Sequence, residues 1–528
     1  MAHEESLSQF FSRDVRELKP GEIPSIPGRI ESFERTAVQM PQRMPPAPVK
    51  PVPLVKKPSH RYVPDSALVL FLLDFVFLGA AQAGLFAGIG GRLDIRDPVQ
   101  LWVLMFVSLA VHLSFLYAAG CFRRDTLVNF STATSRLAVA LGFSAFVLMG
   151  IMHFGLNTLF PDAIIFRSVS RSATIAFLGM GVSLCAGLYS RVLFFAMARR
   201  HWFRRRILII GTGMRAQYLN ALLTSDSHRQ LAEVAFVPET VFGGASKVPA
   251  AALQDSIATS TSIEALASEF AVDEVVVAVD DQRGLALERL LAWKTNGIPV
   301  FDFNTFIERE TGRVDLRWLE LSYLLFSSGF QIRLMDAILK RAMDIAISAM
   351  MLIVALPVLV IASIAIVLED FGPIFYRQTR VTQGGRVFWI YKLRTMRTDA
   401  EKMGAKWADQ NDPRITRVGS ILRRTRVDEI PQLFNVLIGD MSLVGPRPER
   451  PVFVDELSQS IRIYSLRHNV KSGLTGWAQI NYPYGASKED AERKLEYDLY
   501  YMKNYSLLRD FSIMLQTFRV LVWPQGVR

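Results

Sequence analysis

Cysteine is scarce in this sequence: Cys121 and Cys185 are the two cysteines among 528 residues, and both lie in apolar segments. Two such cysteines argue against the disulfide framework of a secreted protein. The first 65 residues contain no apolar run, so no cleavable signal peptide is expected. Zinc-ligand spacings and a basic recognition helix are also missing, and nucleic acid is therefore not an expected partner despite the net charge of +11.

Long hydrophobic runs, in contrast, are frequent. Residues 1–64 are rich in proline and charge and predict a disordered cytoplasmic tail. Basic residues cluster at the end of this tail, in the second connection and after residue 199, so the positive-inside rule places these parts in the cytoplasm. Four apolar segments are long enough to span a membrane: 66–90, 98–120, 136–156 and 171–195.

Three ionisable residues, Asp74, His112 and His153, lie inside these segments. Ionisable groups are costly in a membrane and are often functional there. Hydrogen bonds between buried helices are the favoured interpretation, and a transport path is the alternative.

Residues 199–332 have a different pattern. The stretch RILIIGTGMRAQYLNALL predicts a buried strand, a glycine turn and a helix, and VDEVVVAVDD and GIPVFDF predict later strands. This alternation is typical of a parallel α/β sheet. Gly211, Gly213 and Ala216 form a Rossmann-type G-x-G-x-x-A turn, and Glu239 lies where a ribose-binding acid is expected. A structural or regulatory module is favoured over nucleotide binding.

A fifth apolar run extends from Ile345 to Leu368, with Pro357 at its middle. Proline removes a backbone hydrogen bond and kinks or breaks a helix. A true fifth span would put the charged residues that follow outside the cell, away from nucleotide-activated substrates. A re-entrant helix over 343–368, broken at Pro357, avoids this conflict, and a simple kinked span is the alternative.

Asp428 and Glu429 stand side by side within the stretch RRTRVDEIPQLF, and Arg423 precedes them while Arg447 follows. Arginine forks bind phosphate oxygens, and a carboxylate can coordinate Mg²⁺ or act as a nucleophile. Pro431 is tolerated in the first turn of a helix, so a helix with Asp428 as its N-cap is expected. A capping residue beside a solvated arginine face is the equally weighted alternative.

The C-terminal part carries five motifs in order: GPIFYRQTRV, YKLRTM, NDPRITRVG, RRTRVDEIPQLFNVLIGDMSLVGPRPE and SGLTGWAQIN. From about Lys340 onward it resembles the catalytic domain of bacterial polyprenyl-phosphate glycosyl-1-phosphate transferases. The whole chain resembles the large members that start exopolysaccharide or O-antigen assembly. The fold implied is a membrane α-helical bundle plus α/β: four transmembrane helices in 65–198, a Rossmann-like domain in 199–332, and an α-rich catalytic domain in 333–528 with the re-entrant helix.

The resemblance also implies roles for individual residues. Asp428 would be the nucleophile that takes the phosphosugar covalently, Glu429 would assist it, and both would lie at Mg²⁺. The broken helix of the family matches Pro357, although Leu356 replaces the serine that many members carry before that proline. The substrate-binding residues implied are Arg423 and Arg447 for the donor phosphates, Pro446 and Pro448 for the nucleotide pocket, and Lys392 and Arg394 as further site residues.

The activity implied is transfer of a sugar-1-phosphate from a UDP-sugar to undecaprenyl phosphate, with release of UMP. UDP-glucose is the first expectation for the donor and UDP-galactose the second. The expected location is the cytoplasmic membrane among its lipids, with the catalytic domain on the cytoplasmic side and a homodimer as a possible assembly. The alternatives are a non-catalytic assembly scaffold, a transporter, and an NAD-dependent nucleotide-sugar oxidoreductase, for which Tyr484 and Lys488 supply a Y-x-x-x-K pair.

Overall fold

The computed structural model describes most of the chain after the N-terminal tail, and the described residues belong to one compact unit. The predicted tail, Glu239 and Tyr484 lie outside the described residues. The described ranges are 65–89, 98–159, 168–224, 232–238, 272–281, 283, 285, 287–400, 413–483, 485 and 487–522.

Apolar helices occupy the first described part of the chain, where the sequence predicts membrane spans. The third long helix begins at Phe130, earlier than predicted, and continues through a π-helical turn to Leu159. The helices are α1 (Ser66–Ile89), α2 (Pro98–Ala118), the short α3 (Arg124–Val128), α4 (Phe130–Gly150) and α5 (Val169–Arg199).

Polar side chains join these helices in their buried centre. Asp74 of α1 accepts a hydrogen bond from Ser190 Oγ at 2.5 Å and forms an ion pair with Arg191, and all three side chains are buried. Buried charges need such partners because an unpaired charge loses its hydration. The predicted interhelical bonding is thus confirmed for Asp74. For His112 no hydrogen bond to another helix is seen among the described residues.

A parallel sheet follows the helices, as the alternating pattern predicts. Its four described strands stand in the order β2-β1-β3-β4, and apolar clusters cover both faces. Strands buried on both faces read as continuous apolar runs, which explains the pattern RILII. The elements are β1 (Arg205–Ile210), α6 (Met214–Leu223), β2 (Ala232–Val237), β3 (Glu274–Val277), α7 (Leu287–Thr295), β4 (Val300–Asp302) and α8 (Phe303–Thr311).

The glycine turn after β1 is closed by a carboxylate of the protein itself. Gly211 has φ +128°, a conformation that favours glycine. Asp280 Oδ2 accepts from the backbone N–H of Met214 at 2.9 Å, and Oδ1 accepts from that of Arg215 at 3.1 Å. A dinucleotide pyrophosphate would use these same donors at the start of the helix. The carboxylate of Asp280 therefore occupies the phosphate position of this turn.

The fifth apolar run forms the long helix α10 (Leu334–Asp370), after the short helix α9 (Leu321–Phe326). The helix passes through Pro357 without an interruption of its helical assignment, so the predicted break is not seen there. Five helices within the described ranges, α10 among them, are long and apolar enough to cross a membrane.

The remaining elements form a mixed domain around one apolar core, in which α12, α13 and α15 surround the strands. They are β5 (Phe375–Val381), β6 (Val387–Leu393), α11 (Arg417–Thr425), α12 (Gln432–Ile438), β7 (Ser442–Val444), α13 (Pro451–Ser460), β8 (Gly473–Thr475), α14 (Trp477–Asn481), α15 (Lys488–Lys503) and α16 (Leu507–Val522).

Hydrogen bonds connect this C-terminal domain to both preceding regions. Tyr117 at the end of α2 lies 2.5 Å from Ser512 Oγ of α16. Trp477 donates its indole N–H to the carbonyl oxygen of Gly312, which follows α8, at 2.7 Å. The helical bundle and the parallel sheet thus both support the C-terminal domain.

Candidate active site

An antiparallel hairpin of β5 and β6 positions Lys392. Side chains alternate across a strand, so Lys392 shares a face with Phe388 and Ile390, which are buried in the core. The core holds β6 in this orientation, and Lys392 Nζ reaches Glu429 Oε1 at 3.0 Å. Residues that lie 37 positions apart in the sequence are thereby brought together.

A sharp turn carries the carboxylate pair. Arg426, with φ +58°, ends α11 in the left-handed conformation, which is uncommon for residues other than glycine and is often found at functional sites. A single 3-10 turn, Val427–Glu429, follows. The helix after it has Pro431 as its N-cap, and the predicted capping role of Asp428 is therefore wrong.

Glu429 is surrounded by cations. Lys392 Nζ and Arg447 Nη2 each lie 3.0 Å from Oε1, and Arg426 Nη1 lies 3.6 Å from Oε2. Burial alone would raise the pKa of Glu429, but the positive charges of Lys392, Arg447 and Arg426 hold that pKa well below its usual range. Glu429 is therefore a permanent anion that fixes the position of its basic neighbours.

The surroundings of Asp428 shift its pKa in the opposite direction. Its side chain is buried, with 7% of the residue exposed, and Oδ1 has no hydrogen-bond partner among the described residues. Burial and the negative charge of Glu429 raise the pKa of Asp428 above its usual value. A buried oxygen without a partner is rare in folded proteins and calls for a ligand or an ion. These surroundings distinguish Asp428 from Glu429, whose Oε1 is shared by Lys392 and Arg447.

The two other predicted arginines, Arg423 and Arg394, contact different parts of the protein. Arg423 Nε donates to Thr395 Oγ1 at 2.9 Å, and Arg423 lines the same cavity as the carboxylate pair. Arg394 forms an ion pair with Asp370 and donates to the Pro373 carbonyl oxygen at 2.7 Å. Arg394 thus fastens the end of α10 to β6, a structural contact that the sequence did not predict.

Pro446 and Pro448 lie on either side of Arg447 and are both buried. The carbonyl oxygen of Pro446 accepts from the N–H of Gly473 at 2.8 Å, and that of Pro448 accepts from Arg380 at 3.2 Å. Neither proline is among the described residues that line the cavity, whereas Arg447 is. The two prolines therefore stiffen the loop that presents Arg447.

A cavity of about 760 Å³ opens around these residues. Among the described residues that line it are ten arginines and two lysines, against three carboxylates. Such an excess of cations attracts ligands with several negative charges, and phosphate groups are the usual partners of arginine forks. The volume lies in the range of sites for small molecules and cofactors.

Sequence reasoning missed a second ion pair at this cavity. Arg467 is buried and donates to the Tyr464 hydroxyl at 2.6 Å and to the Arg447 carbonyl oxygen at 3.0 Å. Its Nη2 also lies 3.0 Å from Oδ2 of Asp498. Nothing in the motif SLRHN separates Arg467 from the many exposed arginines, since its partners come from other parts of the chain.

The part of the chain that contains this cavity is similar to known proteins. Residues 335–524 match the family described as bacterial sugar transferase. A protein of Aeromonas hydrophila named UDP-N-acetylgalactosamine-undecaprenyl-phosphate N-acetylgalactosaminephosphotransferase is 41% identical over 253 residues, which are 47% of this chain and 58% of that protein.

Two further relatives carry the name UDP-glucose:undecaprenyl-phosphate glucose-1-phosphate transferase. The protein of Escherichia coli (strain K12) is 42% identical over 184 residues, 34% of this chain and 40% of its own length. The protein of Caulobacter vibrioides is 42% identical over 180 residues, 34% of this chain and 67% of its own length. The matches thus span about half of the Aeromonas and Escherichia relatives, and two thirds of the Caulobacter protein. This chain belongs to the bacterial sugar transferase family.

Proposed function

We propose that this protein transfers a sugar-1-phosphate from a UDP-sugar to undecaprenyl phosphate and releases UMP, as the first membrane step in the assembly of a polysaccharide. The observation that carries the proposal is the carboxylate of Asp428, which is buried, has no partner at Oδ1 among the described residues, and lies in a cavity lined by cations. The names of the relatives support the same reaction class.

The reaction is proposed to occur in two displacements at phosphorus. A carboxylate oxygen of Asp428 attacks the phosphorus that carries the sugar. The bond from this phosphorus to the bridging oxygen breaks, and UMP leaves with the electron pair. Burial and the neighbouring Glu429 raise the basicity of Asp428, which makes its ionised form a better nucleophile than an exposed aspartate.

In the second displacement a phosphate oxygen of the lipid attacks the same phosphorus. The bond to the Asp428 oxygen breaks, the carboxylate is restored, and the sugar is left on a lipid diphosphate. Arg447, held by Glu429 at 3.0 Å, and Arg423 are placed to bind phosphate oxygens during both steps. Fixed cations of this kind stabilise the charge of the transition state without rearranging.

A magnesium ion fits this site through one protein oxygen. The described residues contain no cluster of three side chains suited to a metal, but Mg²⁺ is commonly held by one or two carboxylates together with substrate phosphates and water. Asp428 Oδ1 is available, whereas Glu429 Oε1 is shared by Lys392 and Arg447. When bound, the ion would neutralise part of the negative charge of the substrate phosphates.

The ends of α10 support a re-entrant topology. Near its start, Arg341 donates to the Val436 carbonyl oxygen at 2.6 Å. At its end, Glu369 accepts from the backbone N–H of Arg417 at 2.7 Å. A polar domain that binds both ends of a membrane helix requires both ends on one side of the bilayer. We therefore propose that α10 enters and leaves on the cytoplasmic face, with a bend at Pro357, where the helix lacks one backbone hydrogen bond but keeps its helical assignment.

The identity of the transferred sugar is a separate question. The sequence led us to expect glucose or galactose, and relatives of similar identity are named for N-acetylgalactosamine and for glucose. UDP-N-acetylgalactosamine therefore joins UDP-glucose and UDP-galactose as a candidate donor. A homodimer stays a prediction from the family resemblance.

The test is UMP release from a panel of UDP-sugars, using membrane fractions with undecaprenyl phosphate and Mg²⁺. We expect one donor to give lipid-dependent UMP that stops with a chelator and is lost in Asp428→Asn. If well-expressed protein gives no UMP from any UDP-sugar, the proposed function is wrong and the scaffold interpretation gains support.

A further inference from the structure

Residues 321–335, which we call the connecting segment, join the parallel-sheet domain to α10 and expose many large apolar side chains. Leu325 is 76% exposed, Phe326 83% and Leu334 76%. Arg333 is the one charged residue of the segment. Protein surface in water is rich in charged side chains, and neighbouring apolar side chains that are exposed together mark a contact with another apolar surface or phase. The connecting segment therefore needs a partner.

The inner side of α9, within this segment, is held by the two domains that the segment joins. Tyr323 donates to Glu308 Oε2 of α8 at 2.8 Å, and Lys503 at the end of α15 donates to the Tyr323 hydroxyl at 2.7 Å. Leu324 packs against the apolar core of the C-terminal domain. These contacts fix the orientation of α9, so the exposure of Leu325 on its outer side is a property of the fold.

The exposed apolar surface continues from the connecting segment onto α10. Met335, Ile338 and Leu339 are all at least half exposed. The helix to which they belong is long and apolar enough to cross a membrane, and few of its side chains are buried. A helix that is apolar all round and not covered by protein is covered by lipid. The partner of α10 is thus also available to the segment that precedes it.

Contacts of α16 place the first turns of α10 beside the end of α2. Lys340 of α10 donates to Asp510 Oδ2 of α16 at 2.5 Å. Two positions further along α16, Ser512 Oγ lies 2.5 Å from the hydroxyl of Tyr117 in the last turn of α2. A helix of spanning length ends near the lipid head groups. The start of α10 therefore lies near the head-group layer, where the connecting segment meets it.

We propose that the connecting segment inserts into the membrane surface, with Leu325 and Phe326 among the upper acyl chains and Arg333 among the head-group phosphates. Interfacial segments bury their apolar side chains at this depth and keep their cations at the phosphates. The partner is a lipid surface. Because Tyr323 links α9 to α8, the insertion also holds the parallel-sheet domain against the bilayer. This inference goes beyond the proposed transfer reaction and does not depend on it.

The opposite face of the sheet supplies a matched control residue. Leu291 of α7 is 60% exposed. Leu290 and Trp293 of the same helix pack on one face of the sheet, whereas Phe306 of α8 packs on the other. Since Tyr323 binds α9 to α8, Leu291 lies across the sheet from the connecting segment. An exposed leucine at that position should be in water.

Nitroxide labels on single cysteines test the insertion. Phe326→Cys and Leu291→Cys are introduced separately into the full chain, with Cys121 and Cys185 replaced by serine, and reconstituted in vesicles of phosphatidylcholine and phosphatidylglycerol. The measurement compares the collision rate of each label with oxygen, which concentrates in lipid, and with a water-soluble nickel chelate. Ile353→Cys, at a position of α10 that is 74% exposed, provides the reference for contact with lipid.

We expect the ratio of oxygen to nickel-chelate collisions to be several-fold higher at Phe326→Cys than at Leu291→Cys, and close to the ratio at Ile353→Cys. Leu325→Cys should give the same result and tests the same surface if the Phe326 variant does not fold. The readout needs no substrate, so it is separate from any failure of the proposed function.

Equal ratios at Phe326→Cys and Leu291→Cys would mean that the connecting segment lies in water, and would overturn the proposal. Low collision rates with both reagents at Phe326→Cys, together with strong dipolar coupling between the labels of two copies, would mean that a second copy of the chain covers the segment. That result would also overturn the proposal.

Discussion

The Arg467 guanidinium donates from Nη2 to the carbonyl oxygen of Arg447 at 3.0 Å. Through this bond the buried Arg467 fixes the backbone at Arg447. The side chain of Arg447 in turn forms an ion pair with Glu429. Asp498 lies 3.0 Å from the same nitrogen and balances its charge. Arg467 is therefore a positioning residue, since its contacts fix Arg447 rather than a reacting atom.

Substitution of Arg467 by lysine tests this role. Lysine keeps the charge opposite Asp498 but lacks the fork that reaches the Arg447 carbonyl and the Tyr464 hydroxyl together. We expect Arg467→Lys to raise the donor KM roughly tenfold and to raise the acceptor KM as well, because Arg447 is proposed to bind phosphate oxygens in both displacements. Tyr464→Phe, which removes a different partner, should have less than about a threefold effect on either value. Equal effects of the two variants would contradict the positioning role.

The topology of α10 can be tested by labelling its two flanks. Cysteines at Arg333 and Gln383, both exposed, would be introduced separately after replacement of Cys121 and Cys185 by serine. If the helix re-enters, an impermeant maleimide should label both positions in inside-out vesicles and neither in intact spheroplasts. Labelling of the two flanks from opposite sides would mean that α10 spans the membrane.

Glu310 gives a prediction for stability against pH. Its burial raises its pKa, but Arg205, Arg124 and Arg309 outweigh this and lower the pKa from 4.5 to about 2. Because the folded-state pKa lies below the unfolded one, the cluster contributes its full stabilisation above pH 4.5 and loses it as pH falls toward 2. The full contribution is about 3 kcal/mol, since one unit of pKa shift corresponds to about 1.4 kcal/mol.

The measurement is thermal unfolding of the purified protein at pH 7 and pH 3.5. The wild type should lose about 1 kcal/mol more stability over this range than Glu310→Gln, which has no carboxylate to titrate. An identical pH response of the two proteins would mean that the arginine cluster does not stabilise Glu310. Arg124 comes from the connection after α2 and lies 2.8 Å from Glu310 Oε2, so the same experiment tests the link between the bundle and the sheet.

The contacts of Asp280 favour a structural role for the glycine turn over nucleotide binding. Its carboxylate accepts two backbone N–H bonds at the start of α6, so Asp280→Ala should lower the free energy of unfolding by about 1–2 kcal/mol. The rate of UMP release per folded molecule should stay within about twofold of the wild type. We further expect NAD to leave the melting temperature of the wild type unchanged. A rise in melting temperature with NAD would revive the oxidoreductase alternative.

Several features could be predicted because they depend on local pattern. The long helices followed from apolar segments of spanning length, and the parallel strands followed from continuous apolar runs such as RILII. The candidate carboxylates and Arg447 were predicted from the C-terminal motifs. The structure brings Lys392, Glu429 and Arg447 into direct contact.

Other features depend on distant partners, and the sequence does not reveal them. Arg394 was expected at the substrate and does line the cavity, but its guanidinium also binds Asp370, 24 residues earlier at the end of α10. Asp428 was expected to cap a helix, but the left-handed Arg426 inserts a separate turn before α12. Asp280 fills the glycine turn from the end of another strand, which no local motif indicates.

The most direct test of the account is the mass of the protein after mixing with UDP-sugar in the absence of lipid acceptor. Wild-type protein should gain the mass of one sugar phosphate and release one equivalent of UMP, and undecaprenyl phosphate should remove the added mass. Asp428→Asn should gain none, and fragmentation should place the group on Asp428. An adduct that persists in Asp428→Asn, or steady turnover of the wild type through no adduct at all, would contradict the role assigned to Asp428.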